Sequence, residues 1–90
     1  MACYMIGCRL SSPGSDDIAL SEQIRQLGKS WECLGSSWVL ASDLSAAEIR
    51  DALRHVLGPH DELFVAQING TVAWGGMSKG SAEGLKQVLA

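Results

Sequence analysis

No run in this 90-residue chain approaches the ~18–20 consecutive apolar residues of a helical membrane span, so that class is excluded. The N-terminus also lacks a basic stretch and a clear apolar segment of the secretory kind, because Gly7, Cys8 and Arg9 interrupt its apolar start. A cytoplasmic protein without membrane association is expected. Basic charge is scarce too: seven Lys and Arg against ten Asp and Glu give a net charge of −3. A dedicated nucleic-acid binder normally carries a basic excess or stripe, so the totals count against strong binding of that kind, although a local patch survives such an average. The three cysteines, Cys3, Cys8 and Cys33, are odd in number and form no C-x-x-C. They argue against a disulfide framework or structural zinc site and for reduced, buried, small apolar side chains.

Charge of either sign is low as well. Charged residues make up 19% of the chain, below the roughly 25% of an average globular domain, while 47% are apolar. A single domain this small has much surface to wet. Its apolar balance points to a surface that meets a partner.

What the chain does contain is an ordered switch of hydrophobic period. A strand-like run at 3–10 precedes a helical one at 17–27, in which Leu20, Ile24 and Leu27 recur at helical spacing. Strand-like runs at 31–34 and 38–41 meet at Gly35-Ser36, a hairpin or tight bend. A second helix is expected over 46–57, opened by the capping box Ser45-Ala46-Ala47-Glu48 and stopped by Gly58-Pro59, with Gly58 left-handed. A strand-like run at 62–68 then ends at Asn69-Gly70, a strong hairpin signal. Strand, helix, strand, strand, helix, strand defines an α+β fold, the ferredoxin-like β-α-β-β-α-β sandwich. Beyond that core of about residues 2–70, residues 71–74 read as an appended fifth strand and 81–89 as a short C-terminal helix handicapped by Gly84. The whole chain, 1–90, is one domain.

Local signals fill in the connections. Ser11-Ser12-Pro13-Gly14 is a turn, and Ser15 caps the first helix with Asp16 and Asp17 in its first turn. Gly28 is the expected residue just past that helix. In the first strand Tyr4, Ile6, Cys8 and Leu10 face one way and Cys3, Met5 and Gly7 the other; the last strand is likewise apolar on both sides. When two helices cover one sheet face, the other can be wet and its strands should alternate apolar with polar. These do not, so the second face should be covered too, most economically by a second copy of the chain.

Residues able to carry chemistry are few, and each has an ordinary structural account. Asp16, Asp17 and Asp43 offer oxygen ligands to a hard cation, but helix-start and turn positions already explain them. His55 and His60 lie near Asp61 and Glu62, yet Gly58-Pro59 separates them and no third ligand stands at a recognisable spacing. Arg50 and Arg54, one helical turn apart, share a face and with Arg25 or Lys29 make a small basic patch for phosphates; Asp51, three residues before Arg54, offers an ordinary ion pair instead. Trp31, Trp38 and Trp74 suit base stacking if exposed and core or interface packing if not. The glycine-rich segment 75–81 lacks the G-K-[ST] order of a phosphate-binding loop and reads as a linker, and there is no G-x-S-x-G nucleophile motif.

Several segments together resemble the CRISPR-associated protein two (Cas-two-like) superfamily, closest to its stand-alone SinR-like members. These are the opening Cys3-Tyr4-Met5-Ile6-Gly7-Cys8-Arg9-Leu10, the hairpin residues Leu34-Gly35-Ser36-Ser37-Trp38-Val39-Leu40, the helix Ser45-Ala46-Ala47-Glu48-Ile49-Arg50-Asp51-Ala52-Leu53, and Asp61-Glu62-Leu63-Phe64-Val65 followed by Ala73-Trp74. The resemblance spans nearly the whole chain through mostly structural motifs. It implies a homodimer packed sheet to sheet, the appended strand joining the partner's sheet edge, with Met5 and Trp74 as dimer contacts. Family members credited with metal-dependent nuclease activity carry an aspartate near the end of strand one. Here that position is Arg9, which cannot ligate a cation and repels one. Two copies of Arg9 near a dimer axis would instead attract a phosphate or pair with Asp16 or Asp17.

The expectation is therefore a dimeric binding or scaffold protein without nuclease activity, needing no cofactor or metal and taking a nucleic acid or a protein as partner. Arg9, Arg50 and Arg54 are its candidate phosphate-binding residues. The alternative is a metal-dependent ribonuclease or deoxyribonuclease, toxin-like, that uses another carboxylate or a histidine.

Overall fold

The computed structural model describes residues 1–10, 17–33 and 37–89, with Asp17 and Cys33 described by backbone alone. Its elements are β1 (Ala2–Arg9), α1 (Asp17–Leu27), β2 (Lys29–Cys33), β3 (Ser37–Ser42), α2 (Ala46–Arg54), β4 (Glu62–Gln67) and α3 (Lys79–Leu89). The fold is α+β, one antiparallel four-stranded sheet with three helices among the described residues. The turn expected at 11–14, the Ser15 cap, Asp16 and the Gly35-Ser36 connection lie outside those residues.

β1 runs through the middle of the sheet, antiparallel to β3 on one side and β4 on the other; β2 pairs with β3, so the order is β2-β3-β1-β4. Register sets Ile6 opposite both Trp38 and Val65. Because side chains alternate across a strand, Tyr4, Ile6, Trp38, Leu40 and Val65 share one face. α1 and α2 cover it with Leu20, Ile24, Ile49 and Leu53. Ile6, Leu20, Ile24, Leu40, Ile49 and Leu53 lose all solvent contact, each such burial contributing about 1.5–3 kcal/mol. Polar groups at the edge of this core are satisfied. Tyr4 Oη donates to the Leu44 carbonyl at 2.7 Å, and Ser42 Oγ donates to the Leu27 carbonyl at 2.8 Å.

Both ends of α2 have local causes. The expected capping box of α2 forms: Ser45 Oγ accepts the Glu48 N–H at 3.1 Å and Glu48 Oε1 accepts the Ser45 N–H at 2.9 Å. The helix ends earlier than its apolar period suggests, because Val56 and Leu57 turn inward on tighter bonds to the Leu53 and Arg54 carbonyls. Gly58 is not left-handed as expected. Its N–H donates instead to Asp61 Oδ2 at 2.8 Å, closing a turn into β4. Gly28 follows α1 directly, as expected; it has φ of 159°, and its backbone abuts the Ala41 carbonyl, where no Cβ fits.

The second sheet face departs furthest from expectation. The fifth strand at 71–74 is not seen; residues 68–78 carry no regular structure. Within one copy, such a strand would have to return along the outer edge of β4. Instead Ile68, whose N–H still bonds the Cys3 carbonyl at 2.8 Å, and Met77 pack beneath the sheet and draw the chain onto its second face. Ser78 accepts the Ser81 N–H at 3.2 Å, so the terminal helix starts two residues sooner than its period implies. α3 then lies across β2 and β3 with Leu85 and Val88 buried on Val39 and Ala41, and Trp31 and Cys3 partly buried beside them. The first cover on this face is thus the chain's own C-terminal helix, not a second copy. No helix among the described residues is long and apolar enough to cross a membrane.

Candidate functional site

α3 covers only the β2–β3 half of the second face. Across β1 and β4 the same face stays bare: Met5 is 39% exposed, Phe64 55%, and Ala66 is exposed beside Met5, its cross-strand partner. Phe64 sits opposite Gly7, and its ring lies where a Gly7 side chain would be. The absent side chain lets the aromatic ring lie flat on the β1 backbone, burying Gly7 while leaving the outer ring face in solvent. One register step further, Arg9 Nη2 and Glu62 Oε1 form an exposed ion pair at the end of the two strands. An open cleft of about 430 Å³, lined by Gly7, Arg9, Ser37, Glu62 and Phe64 among others, runs along this end.

This patch combines an apolar floor with one charge of each sign at its rim. Aromatic and methionine side chains are the types enriched at protein contact surfaces, and Arg is enriched with them. The patch is defined by its apolar floor and this charged pair. It can exclude water against a matching apolar surface and fix the approach through Arg9 and Glu62.

The candidate phosphate-binding residues lie in two places. Arg9 belongs to the sheet face and pairs with Glu62; the other expected partners, Asp16 and the Asp17 side chain, lie outside the described residues. Arg50 and Arg54 do share a cleft, of about 450 Å³, with Gly58, Pro59, Asp61 and Leu63. Within it Arg50 is held by Asp51, whose Oδ1 lies 3.0 Å from both its Nε and Nη2, so Asp51 serves Arg50 and not Arg54. Asp61 brings a further carboxylate into the same cleft, which lowers its attraction for anions. Arg25 and Lys29 do not line it.

The remaining candidates are dispersed. Asp43 Oδ1 lies 3.9 Å from the N-terminal amine, while Asp16 and the Asp17 side chain fall outside the described residues. His55 and His60 are both exposed, and no three His, Cys, Asp or Glu side chains converge among the described residues. Trp38 is core, Trp31 lies under α3, and Trp74 is 38% exposed. Met5 was legible as a face residue from strand parity alone. Strand parity likewise sets Phe64 and Ala66 on the side of β4 opposite Leu63 and Val65; Glu62, on that same side, was not singled out as their companion.

The chain matches no protein-family model and no curated protein.

Proposed function

We propose that this protein is a Cas-two-like binding or scaffold module of ferredoxin-like architecture that works as a homodimer and has no nuclease activity. The architecture is supported by the strand order β2-β3-β1-β4 with β1 antiparallel to both neighbours, and by α1 and α2 lying together on one face. One observation carries the functional reading: the bare half of the second sheet face, where Met5, Phe64 and Ala66 stand exposed beside the Arg9–Glu62 pair. A two-fold contact uses the same patch on both copies and so needs a self-complementary surface. A patch with an apolar floor and both an arginine and a carboxylate on its rim meets that need, since Arg9 of one copy can face Glu62 of the other.

At the position where metal-dependent members of the resembled family carry a carboxylate, Arg9 offers a cation engaged by Glu62. The arginines that remain, Arg50 and Arg54, share their cleft with Asp61, and the chain is acidic overall. Protein contact is therefore favoured over nucleic-acid contact. Light scattering after size exclusion tests the reading. A dimer is expected at micromolar concentration, and Phe64→Lys should convert it to a monomer with unchanged far-UV circular dichroism. A monomeric wild type, or cleavage of RNA or DNA in Mg²⁺ or Mn²⁺ that Asp43→Ala or His60→Ala removes, would overturn it.

A further inference from the structure

We propose that α3 is an intramolecular cap over part of the dimerisation surface, so that its release sets the monomer–dimer equilibrium; this rests on the sheet-face dimer proposed above. The exposed half of the face is small. A large aromatic side chain buries about 150–250 Å² even when fully covered, so Met5, Phe64 and Ala66 fall well short of the ~800 Å² per partner typical of a stable interface. The missing surface lies next to it. Beneath α3 the same sheet face continues through Cys3, Trp31, Val39 and Ala41, and Ile68 borders it. With α3 lifted, these side chains and the bare patch form one apolar surface across all four strands, rimmed by Arg9 and Glu62.

α3 is built to leave as a unit. At eleven residues it is below the length at which an isolated helix persists in water, about 12–15 residues, so it holds together only while docked. Only Leu85 and Val88 are buried in it. The preceding residues 69–78 are irregular and mostly exposed, with open space around Gly70, Gly75 and Gly76. Ten such residues reach roughly 33–36 Å when extended, ample to carry the helix clear of the sheet. A second copy and α3 thus compete for Val39, Ala41 and Trp31.

Two full-length variants move the cap in opposite directions. Leu85→Asp with Val88→Asp places charges on the docking side of α3 and should release it. Val88→Cys, in a background with Cys8→Ala and Cys33→Ala, is set to lock it, because Cys3 Sγ lies 3.7 Å from the Val88 carbonyl and an oxidised bond to Cys3 would tie the helix down. Hydrogen exchange over residues 79–89 reports docking independently of assembly. The released variant should dimerise at least tenfold more tightly than wild type, lose that gain on addition of Phe64→Lys, and keep its β1, α1 and α2 amides protected. The locked variant should dimerise at least tenfold more weakly until a reductant frees it. Equal dimerisation of all three proteins, or weaker dimerisation on release, overturns the cap and leaves the dimer standing. No dimer in any of them, with exchange showing α3 freed in the first and held in the second, overturns both.

Discussion

Gly84, midway along α3, lies against the edge of the Trp31 indole: a Cβ added there would sit 2.9 Å from Cδ1 and 3.2 Å from Nε1. Glycine inside a helix costs about 1 kcal/mol relative to alanine, so by propensity alone this residue is a defect. In contact it is the reason α3 approaches the sheet closely enough to bury Leu85 and Val88. Gly84→Ala should therefore fail to stabilise: the indole must shift, and exchange protection over residues 79–89 should fall. Gly80, with nothing within 4 Å, is the control. Gly80→Ala should raise protection of the same segment, by up to about 1 kcal/mol. Protection rising equally in both variants would contradict the contact.

That pair also marks where sequence reading succeeded and where it stopped. The Ser45–Glu48 capping box, the span of α1 and the parity of Tyr4 against Met5 are local properties, and all three were legible. The cover of the second face was not, because its signal lies in contacts between residues far apart: Gly84 with Trp31, Ile68 and Met77 with Val39 and Ala41. Asn69-Gly70 signalled a hairpin that does not form: Gly70 has φ of 97°, but no strand follows it, and those apolar anchors draw the chain onto the second face. The ion pairs were not legible for another reason. Arg9 and Arg50 each had several carboxylates within reach, and only strand register and rotamer choice selected Glu62 and Asp51.

Gly7 and Phe64 should behave as one unit. Gly7→Ala pushes a methyl group into the Phe64 ring, which must swing off the β1 backbone, and should cost on the order of 1 kcal/mol, the low end for overpacking because the ring is 55% exposed. Once Phe64→Ala has removed the ring, the same substitution should cost little. A double-mutant cycle by urea denaturation, run at concentrations where every variant is monomeric, should then return a coupling of about 1 kcal/mol. Additive effects would mean that the ring does not rest on Gly7.

The α2 capping box offers a prediction of known scale. Ser45→Ala leaves the Glu48 N–H without its acceptor and should cost about 1 kcal/mol in global stability. Glu48→Gln keeps an oxygen able to accept the Ser45 N–H and should cost at most a few tenths. Thermal unfolding resolves the two, since about 1 kcal/mol shifts the midpoint of a domain this size by roughly 4–8 °C. Equal losses in both variants would point to the Glu48 charge at the helix start, and not to the reciprocal bonds.

Arg9 and Glu62 test the dimer through charge, with little confounding from stability. Their side chains are 82% and 63% exposed, and pairs of that kind contribute about 0.2–1 kcal/mol at most after screening by salt. Arg9→Glu or Glu62→Arg should thus leave monomer unfolding nearly unchanged. In a two-fold contact each copy presents both residues, so either reversal sets like charges against each other across the interface as well as within one strand pair. Dimerisation should weaken in each single variant and weaken further as salt is lowered, because less screening strengthens the repulsion. The double exchange Arg9→Glu with Glu62→Arg restores opposite charges both within a copy and between copies, and should recover the wild-type dissociation constant by sedimentation equilibrium. Recovery in the double variant after loss in both singles identifies Arg9 and Glu62 as facing charges; unchanged dimerisation in the singles would move the interface away from this end of the sheet.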